Sequence, residues 1–102
     1  MASVLIVNEI SAEREELTRA LEAEGFSVVA SSSAADAVRE IWGGSFLVAV
    51  ISTQLTGTSA KGLGAQLGQM APETEVLIPG RNDEISKVVR KVCAIRDGVA
   101  AA

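Results

Sequence analysis

The chain has 102 residues, of which 48% are hydrophobic and 22% are charged, and its formal net charge is −4. This length predicts one globular domain, and the composition excludes a disordered chain. The negative charge argues against a general nucleic-acid binder. The sequence contains no His, which is the commonest general base and metal ligand, so we expect neither histidine-dependent hydrolysis nor zinc chemistry.

Three features of the sequence bear on its cellular location. The longest uncharged apolar run, residues 46–51, is too short to span a bilayer. The N-terminus lacks the basic stretch before an apolar one that is typical of a secretory signal. Cys93 is the single cysteine and fits a reducing compartment. We therefore predict a cytoplasmic protein without membrane contact, in which Cys93 is an inert packing residue.

Four apolar runs rich in β-branched residues predict β-strands. The predicted strands are residues 3–7, 26–30, 46–51 and 76–78. The third run is apolar throughout, as expected of a strand that helices cover on both faces. Because helical patterns separate the strands, we expect a parallel sheet with right-handed crossovers.

Apolar residues at helical spacing predict a helix after each strand. The predicted N-caps are Ser11 for the first helix, Ser33 for the second, and Asn82 or Asp83 for the last. The second helix should run through Trp42 and bury that side chain. The third, over residues 60–70, contains three glycines that each cost about 1 kcal/mol relative to Ala, so we expect it to be short or poorly ordered.

The strand composition also predicts the topology. The two most apolar strands, the first and third, should lie in the centre, which gives the order 2-1-3-4 in a three-layer α/β fold with four strands and four helices. Right-handed crossovers then place the first helix on one face and the second and third on the other. The last helix should pack beside the first, which alone cannot cover its face. We assign residues 1–98 to a single domain and residues 99–102 to a frayed tail.

Several motifs resemble those of the bacterial response-regulator receiver domain. The matching segments are residues 3–9 (SVLIVNE), 17–26 (LTRALEAEGF), 46–57 (FLVAVISTQLTG) and 71–78 (APETEVLI). The resemblance covers residues 3–80 and implies the flavodoxin-like fold of that family, whose order 2-1-3-4-5 is well known. The chain is apparently one strand and one helix shorter. The burial argument favours the family's fifth helix over its fourth as the counterpart of the last helix.

The resemblance implies an Asp phosphoryl acceptor after the third strand, an acidic pair holding Mg²⁺ after the first, a Ser or Thr after the fourth and a Lys after the fifth. The first three positions match Ser52, the pair Asn8 and Glu9, and Gly80, whereas the Lys position has no counterpart. A receiver of this composition is degenerate, a pseudo-receiver.

The missing acceptor cannot be recovered by shifting the alignment, because no Asp or Glu occurs between Glu40 and Glu73. Forming an acyl phosphate requires a carboxylate nucleophile and a divalent ion that clamps the phosphoryl oxygens. We therefore predict a domain that is not an enzyme, with no catalytic residue, no metal site and no cofactor.

Two function classes fit these residues. The preferred one is a non-catalytic receiver-like signalling module that acts through protein–protein interaction and is not phosphorylated on Asp. The alternative is a small-ligand or anion binder at the loops after strands 1 and 3, lined by Asn8, Ser52, Thr53 and Gly80. A weaker hypothesis keeps regulation by phosphorylation of Ser52 or Thr53.

Two surfaces could receive a protein partner. Lys87, Arg90 and Lys91 on the last helix could dock an acidic partner. The edge of strand 4, or the last helix, could support a homodimer. Trp42 would be an interface anchor if it were exposed.

Overall fold

The computed structural model describes residues 2–98. Its strands are β1 (Ser3–Val7), β2 (Ser27–Ser31), β3 (Val48–Ile51) and β4 (Glu75–Leu77), and its helices are α1 (Ser11–Ala23), α2 (Ala34–Gly43), α3 (Ala60–Met70) and α4 (Ile85–Asp97). All eight predicted elements are present, with bounds that differ by a residue or two. The tail predicted at 99–102 lies outside the described residues. Within the part described, no helix has both the length and the apolar character needed to cross a bilayer.

The four strands form one parallel sheet in the order β2-β1-β3-β4, as the sequence predicts. The central strand β1 sets the register, since Val4 pairs with Val28 on one side and with Val48 on the other. β4 pairs only with β3 among the strands of residues 2–98, and Glu75 lies opposite Val48. The fold is therefore a three-layer α/β sandwich with β4 at one edge.

Alternate residues of the central strands supply two separate cores. Leu5 and Val7 pack with α2 and α3 on one face. Val4 and Ile6 pack on the other face with Leu17 of α1 and with residues of α4 such as Val88 and Val92. The predicted placement of the last helix beside the first is confirmed, because α4 shares this second core with α1.

Two of the predicted helix caps are wrong. Ser11 is already the first residue of α1, whose N-cap is Ile10. The Oδ1 of Asn8 accepts a hydrogen bond from the Ile10 N–H at 2.8 Å, so the turn forms before Ser11. Asp83 does not cap α4, whose N-cap is Glu84, because its carboxylate accepts from the Gly80 N–H at 2.9 Å. Ser33 is confirmed as a cap, since its Oγ accepts from the Asp36 N–H at 3.1 Å.

The composition of α3 predicts a short or poorly ordered helix, but the helix spans all of Ala60–Met70. Its N-cap Ser59 accepts a hydrogen bond from the Gly62 N–H at 2.9 Å. Gly64 lets the helix approach the sheet, because a Cβ built there would lie 2.9 Å from Cγ1 of Val76 in β4. Tertiary packing thus offsets the low helix propensity of the glycines.

Trp42 was expected in the core, but its side chain is 79% exposed. Ala37 and Ile41, one turn apart, mark the buried face of α2, and Val38 is only partly buried at its margin. Trp42 follows Val38 by one turn along that margin, at the end of the helix. The indole therefore projects from the surface.

Candidate functional site

A pocket of ≈ 270 Å³ opens at the carboxyl ends of β1, β3 and β4. Three of the four positions matched to the family's phosphorylation site line it, namely Asn8, Ser52 and Gly80. The pocket floor is apolar and comes from the core that α1 and α4 share, as at Ile6 and Val88. The fold thus brings Asn8 and Gly80 together although they are 72 positions apart in the sequence, as expected where parallel strands end on the same edge.

Asn8 is a structural residue of the β1–α1 loop, and it is only 8% exposed. Its Oδ1 accepts from the Ile10 N–H, and its Nδ2 donates to Oε1 of Glu13 at 3.3 Å. Its backbone carbonyl accepts from Nη1 of Arg14 at 2.8 Å. These bonds fix the turn into α1 and commit both ends of the amide to protein partners.

Glu9 lies next to the pocket but points toward the β3–α3 loop. Its Oε2 accepts from the Thr56 N–H and its Oε1 accepts from the Thr56 hydroxyl, each at 2.7 Å. The backbone and then the side-chain hydrogen bond of Thr56 lower the pKa of Glu9 below its usual 4.5. The sequence alone did not indicate Thr56 as a partner, because it lies 47 residues away.

Ser52 and Gly80 are held by local contacts. The Ser52 N–H donates to the Val7 carbonyl at 2.9 Å, and the Ser52 Oγ accepts from the Gln54 N–H at 3.1 Å. The hydrogen bond from the Gly80 N–H, followed by that from Lys87, lowers the pKa of Asp83. Ser52 therefore presents a hydroxyl, and no carboxylate, at the end of the central strand.

Three charged residues that the sequence analysis did not assign to this site also line the pocket, namely Glu13, Arg81 and Asp83. Arg81 directly follows Pro79 and Gly80, just after the carboxyl end of β4. That position in the sequence could have indicated that Arg81 lies near the site. The rim consequently carries both signs of charge above an apolar floor.

These residues do not fit the Mg²⁺ site that the receiver resemblance implies. Mg²⁺ requires near-octahedral oxygen ligands, usually including carboxylates and water. Both carboxylate oxygens of Glu9 are already bonded to Thr56, and the position of the second acid is the amide of Asn8. In the described range 2–98, no group of three or more His, Cys, Asp or Glu side chains could hold a metal ion.

No protein-family model and no curated protein matches the chain, whereas solved structures of low sequence identity share its fold. A response regulator receiver domain from Clostridium thermocellum has 14% identity and a TM-score of 0.81, with 96% of each chain covered. A two-component response regulator from Clostridium difficile has 13% identity and a TM-score of 0.82, over 95% of this chain and 97% of that one. The chain has the receiver fold. A CheY-like receiver domain from Methylobacillus flagellatus agrees, with 21% identity, a TM-score of 0.76 and coverage of 93% and 98%.

The receiver fold places the three basic residues of the last helix on two flanks of α4. Lys87 bonds Oδ1 of Asp83 at 3.3 Å, and Lys91 is close enough to help lower the pKa of Asp83. Arg90 instead lines a shallow groove between α4 and α1, together with Glu24. Lys87 and Lys91 thus share the flank that faces the β4–α4 loop.

Proposed function

We propose that this receiver-fold domain is a non-catalytic signalling module that acts through protein–protein interaction and is not phosphorylated on Asp. The observation that carries the proposal is Ser52 at the end of β3, where a receiver needs a carboxylate. A serine hydroxyl would form a phosphoester, which lacks the lability of an acyl phosphate, and no His is present to activate it.

The Glu9–Thr56 contact supports the same proposal. Two hydrogen bonds connect the loop after β1 directly to the loop after β3. This connection requires neither a metal ion nor a phosphoryl group, so the two loops are joined without a chemical signal. A partner would then recognise one constant surface, in a cytoplasmic setting.

The surfaces that a partner could use are exposed. Trp42 offers a large aromatic side chain of the type that dominates binding energy at interfaces. Lys87 and Lys91 offer positive charge on α4 to an acidic partner, with Arg90 on the adjacent flank. The substitution of all three bases by Glu should leave the unfolding midpoint nearly unchanged and abolish partner capture, if this is the docking surface. Arg19→Glu on α1, a smaller charge change of the same sign, is the control.

The test of the missing chemistry is incubation with a small phosphodonor and Mg²⁺. We expect no hydroxylamine-labile and no acid-stable adduct by intact mass. A receiver that retains its Asp, treated in the same solution, verifies that the donor is active. A stoichiometric labile adduct on this chain would overturn the proposal.

A second candidate function is suggested by the ≈ 270 Å³ pocket. Arg81 could attract an anion, whereas Glu13 and Asp83 oppose one. The pocket therefore favours a small hydrogen-bonding molecule with an apolar end over a simple anion.

A thermal-shift series with inorganic phosphate, a nucleoside monophosphate and a panel of small dyes tests this second candidate. A ligand at a hundred times its dissociation constant adds about 2.7 kcal/mol to stability. Arg81→Ala should reduce the shift for an anionic ligand, while Arg39→Ala on α2 should not. No shift with any probe argues against a ligand of these classes in the pocket.

A further inference from the structure

The outer edge of β4 carries backbone groups that are available for another strand. The Glu75 N–H donates to the Leu47 carbonyl at 3.0 Å, so Glu75 bonds inward to the sheet. Successive residues of a strand bond to opposite sides, so the N–H and the C=O of Val76 point outward. Pro79, two residues after the end of β4, cannot extend a ladder because it has no N–H.

The arrangement of these groups is complementary to itself. If two copies meet in antiparallel orientation with Val76 opposite Val76, each Val76 donates its N–H to the carbonyl of the other. Two backbone hydrogen bonds therefore form around one two-fold axis, which is the symmetry of most homodimers.

The side chains on both faces of the edge are compatible with this pairing. Ile78 is 38% exposed and lies beside Gly64 of α3, so it adds apolar surface on the α3 side. On the opposite side, Glu75 is exposed and faces the same core as its pair Val48. The helix α4, which bears Lys87 and Lys91, covers the same face of the sheet, so Glu75 of one copy would meet the face of the second copy that carries these bases.

From these observations we infer that the occupant of the β4 edge is a second copy of this chain, joined through antiparallel β4–β4 pairing into one eight-stranded sheet. The inference identifies one partner for the proposed interaction module. It rests on the proposed function only in that the module acts by binding protein. An exposed edge strand is a template for pairing, and among residues 2–98 no strand pairs with the outer edge of β4.

The test combines light scattering after size-exclusion chromatography with amide hydrogen exchange on the full chain. We expect a dimer whose population rises with concentration, and an exchange rate of the Val76 amide that falls as the dimer forms. Ile78→Lys should raise the dimer dissociation constant about tenfold, equivalent to about 1.4 kcal/mol. Ile10→Lys is the matched control, because Ile10 is 37% exposed and lies away from the edge.

Three results would overturn the inference. They are a monomer at every concentration, a dimer in which the Val76 amide exchanges as fast as in the monomer, and equal weakening by both substitutions. The exchange measurement uses the unmodified chain, so it remains decisive if a variant does not fold. If the protein is a monomer and is not labelled by the phosphodonor, the dimer is rejected and the proposed function stands. If the protein is a dimer and is labelled on a carboxylate, the proposed function is rejected and the dimer stands.

Discussion

The Glu9 carboxylate accepts one hydrogen bond from the Thr56 N–H and one from the Thr56 hydroxyl, both at 2.7 Å. The two residues are separated by 47 positions, and they connect the loops that follow the two central strands. A side chain matched to the metal-binding acids of receivers therefore has a structural partner in this chain.

Thr56→Val should raise the pKa of Glu9 toward its ordinary value, because it removes one of the two hydrogen bonds that stabilise the carboxylate. The rise should be partial, since the larger contribution comes from the backbone N–H. Titration of the Glu9 carboxyl carbon by NMR measures the effect, and Thr53→Val in the same loop is the control. An unchanged titration in Thr56→Val would show that the hydroxyl does not act on Glu9.

The stability of the protein should depend on this pair in acid. The pKa of Glu9 is lower in the folded state than in the unfolded state, so its contribution is fully present above the unfolded value near 4.5. That contribution is lost as the pH falls through the folded pKa. Between neutral pH and a pH below the folded and unfolded pKa values of Glu9, Thr56→Val should therefore lose less stability than the unsubstituted protein. Urea unfolding at each pH measures the difference.

Gly68→Ala should stabilise the protein, whereas Gly64→Ala should not. Each replacement in a helix gains about 1 kcal/mol from propensity. At Gly64, however, the new Cβ would lie 2.9 Å from Val76, and such overpacking costs about 1–3 kcal/mol. At Gly68 it would meet no atom within 4 Å. Urea unfolding should show a stabilised Gly68→Ala and a destabilised or unchanged Gly64→Ala; a reversed order would contradict the packing of α3 on β4.

Trp42→Ala should change the free energy of unfolding by less than about 1 kcal/mol, because the side chain is exposed. A Trp in the core would cost about 3–5 kcal/mol on truncation. Intrinsic fluorescence gives an independent measurement, since Trp42 is the single Trp and should emit as a solvated indole. Phe46→Ala, which truncates a buried aromatic residue, should be strongly destabilising and is the comparison.

Cys93 should react slowly with alkylating reagents near neutral pH. Burial, and then the hydrogen bond from its Sγ to Oε1 of Glu24 at 3.5 Å, raise the pKa of the thiol above its usual value. Less thiolate is therefore present in the folded protein than after unfolding in urea. Glu24→Gln should accelerate the reaction of the folded protein, whereas Glu22→Gln should not.

The sheet could be predicted from the sequence because the relevant pattern is local. Residues 4–7 and 48–51 are continuously apolar, which places their strands in the centre, and the handedness of the crossovers then fixes the faces of the helices. The same reasoning places Asn8, Ser52 and Gly80 at one edge of the sheet, and they do line one pocket.

The features that the sequence did not predict depend on contacts between residues that are distant in the sequence or on how a helix packs. The length of α3 depends on the approach of Gly64 to Val76, and the orientation of Glu9 depends on Thr56. The exposure of Trp42 depends on which margin of α2 faces solvent, and helical spacing alone allows either. Each of these features is decided by tertiary packing, which overrides local propensity.

The stretch without Asp or Glu between Glu40 and Glu73 has an effect beyond the missing acceptor. Lys61 is the one charged residue within it, so the solvent side of α3 is nearly neutral while the molecule carries a net charge of −4. Like-charged molecules repel one another over distances of about 10 Å at 0.1 M ionic strength. Two molecules that approach with their α3 helices foremost bring their least charged surfaces together, and their encounter should depend only weakly on added salt.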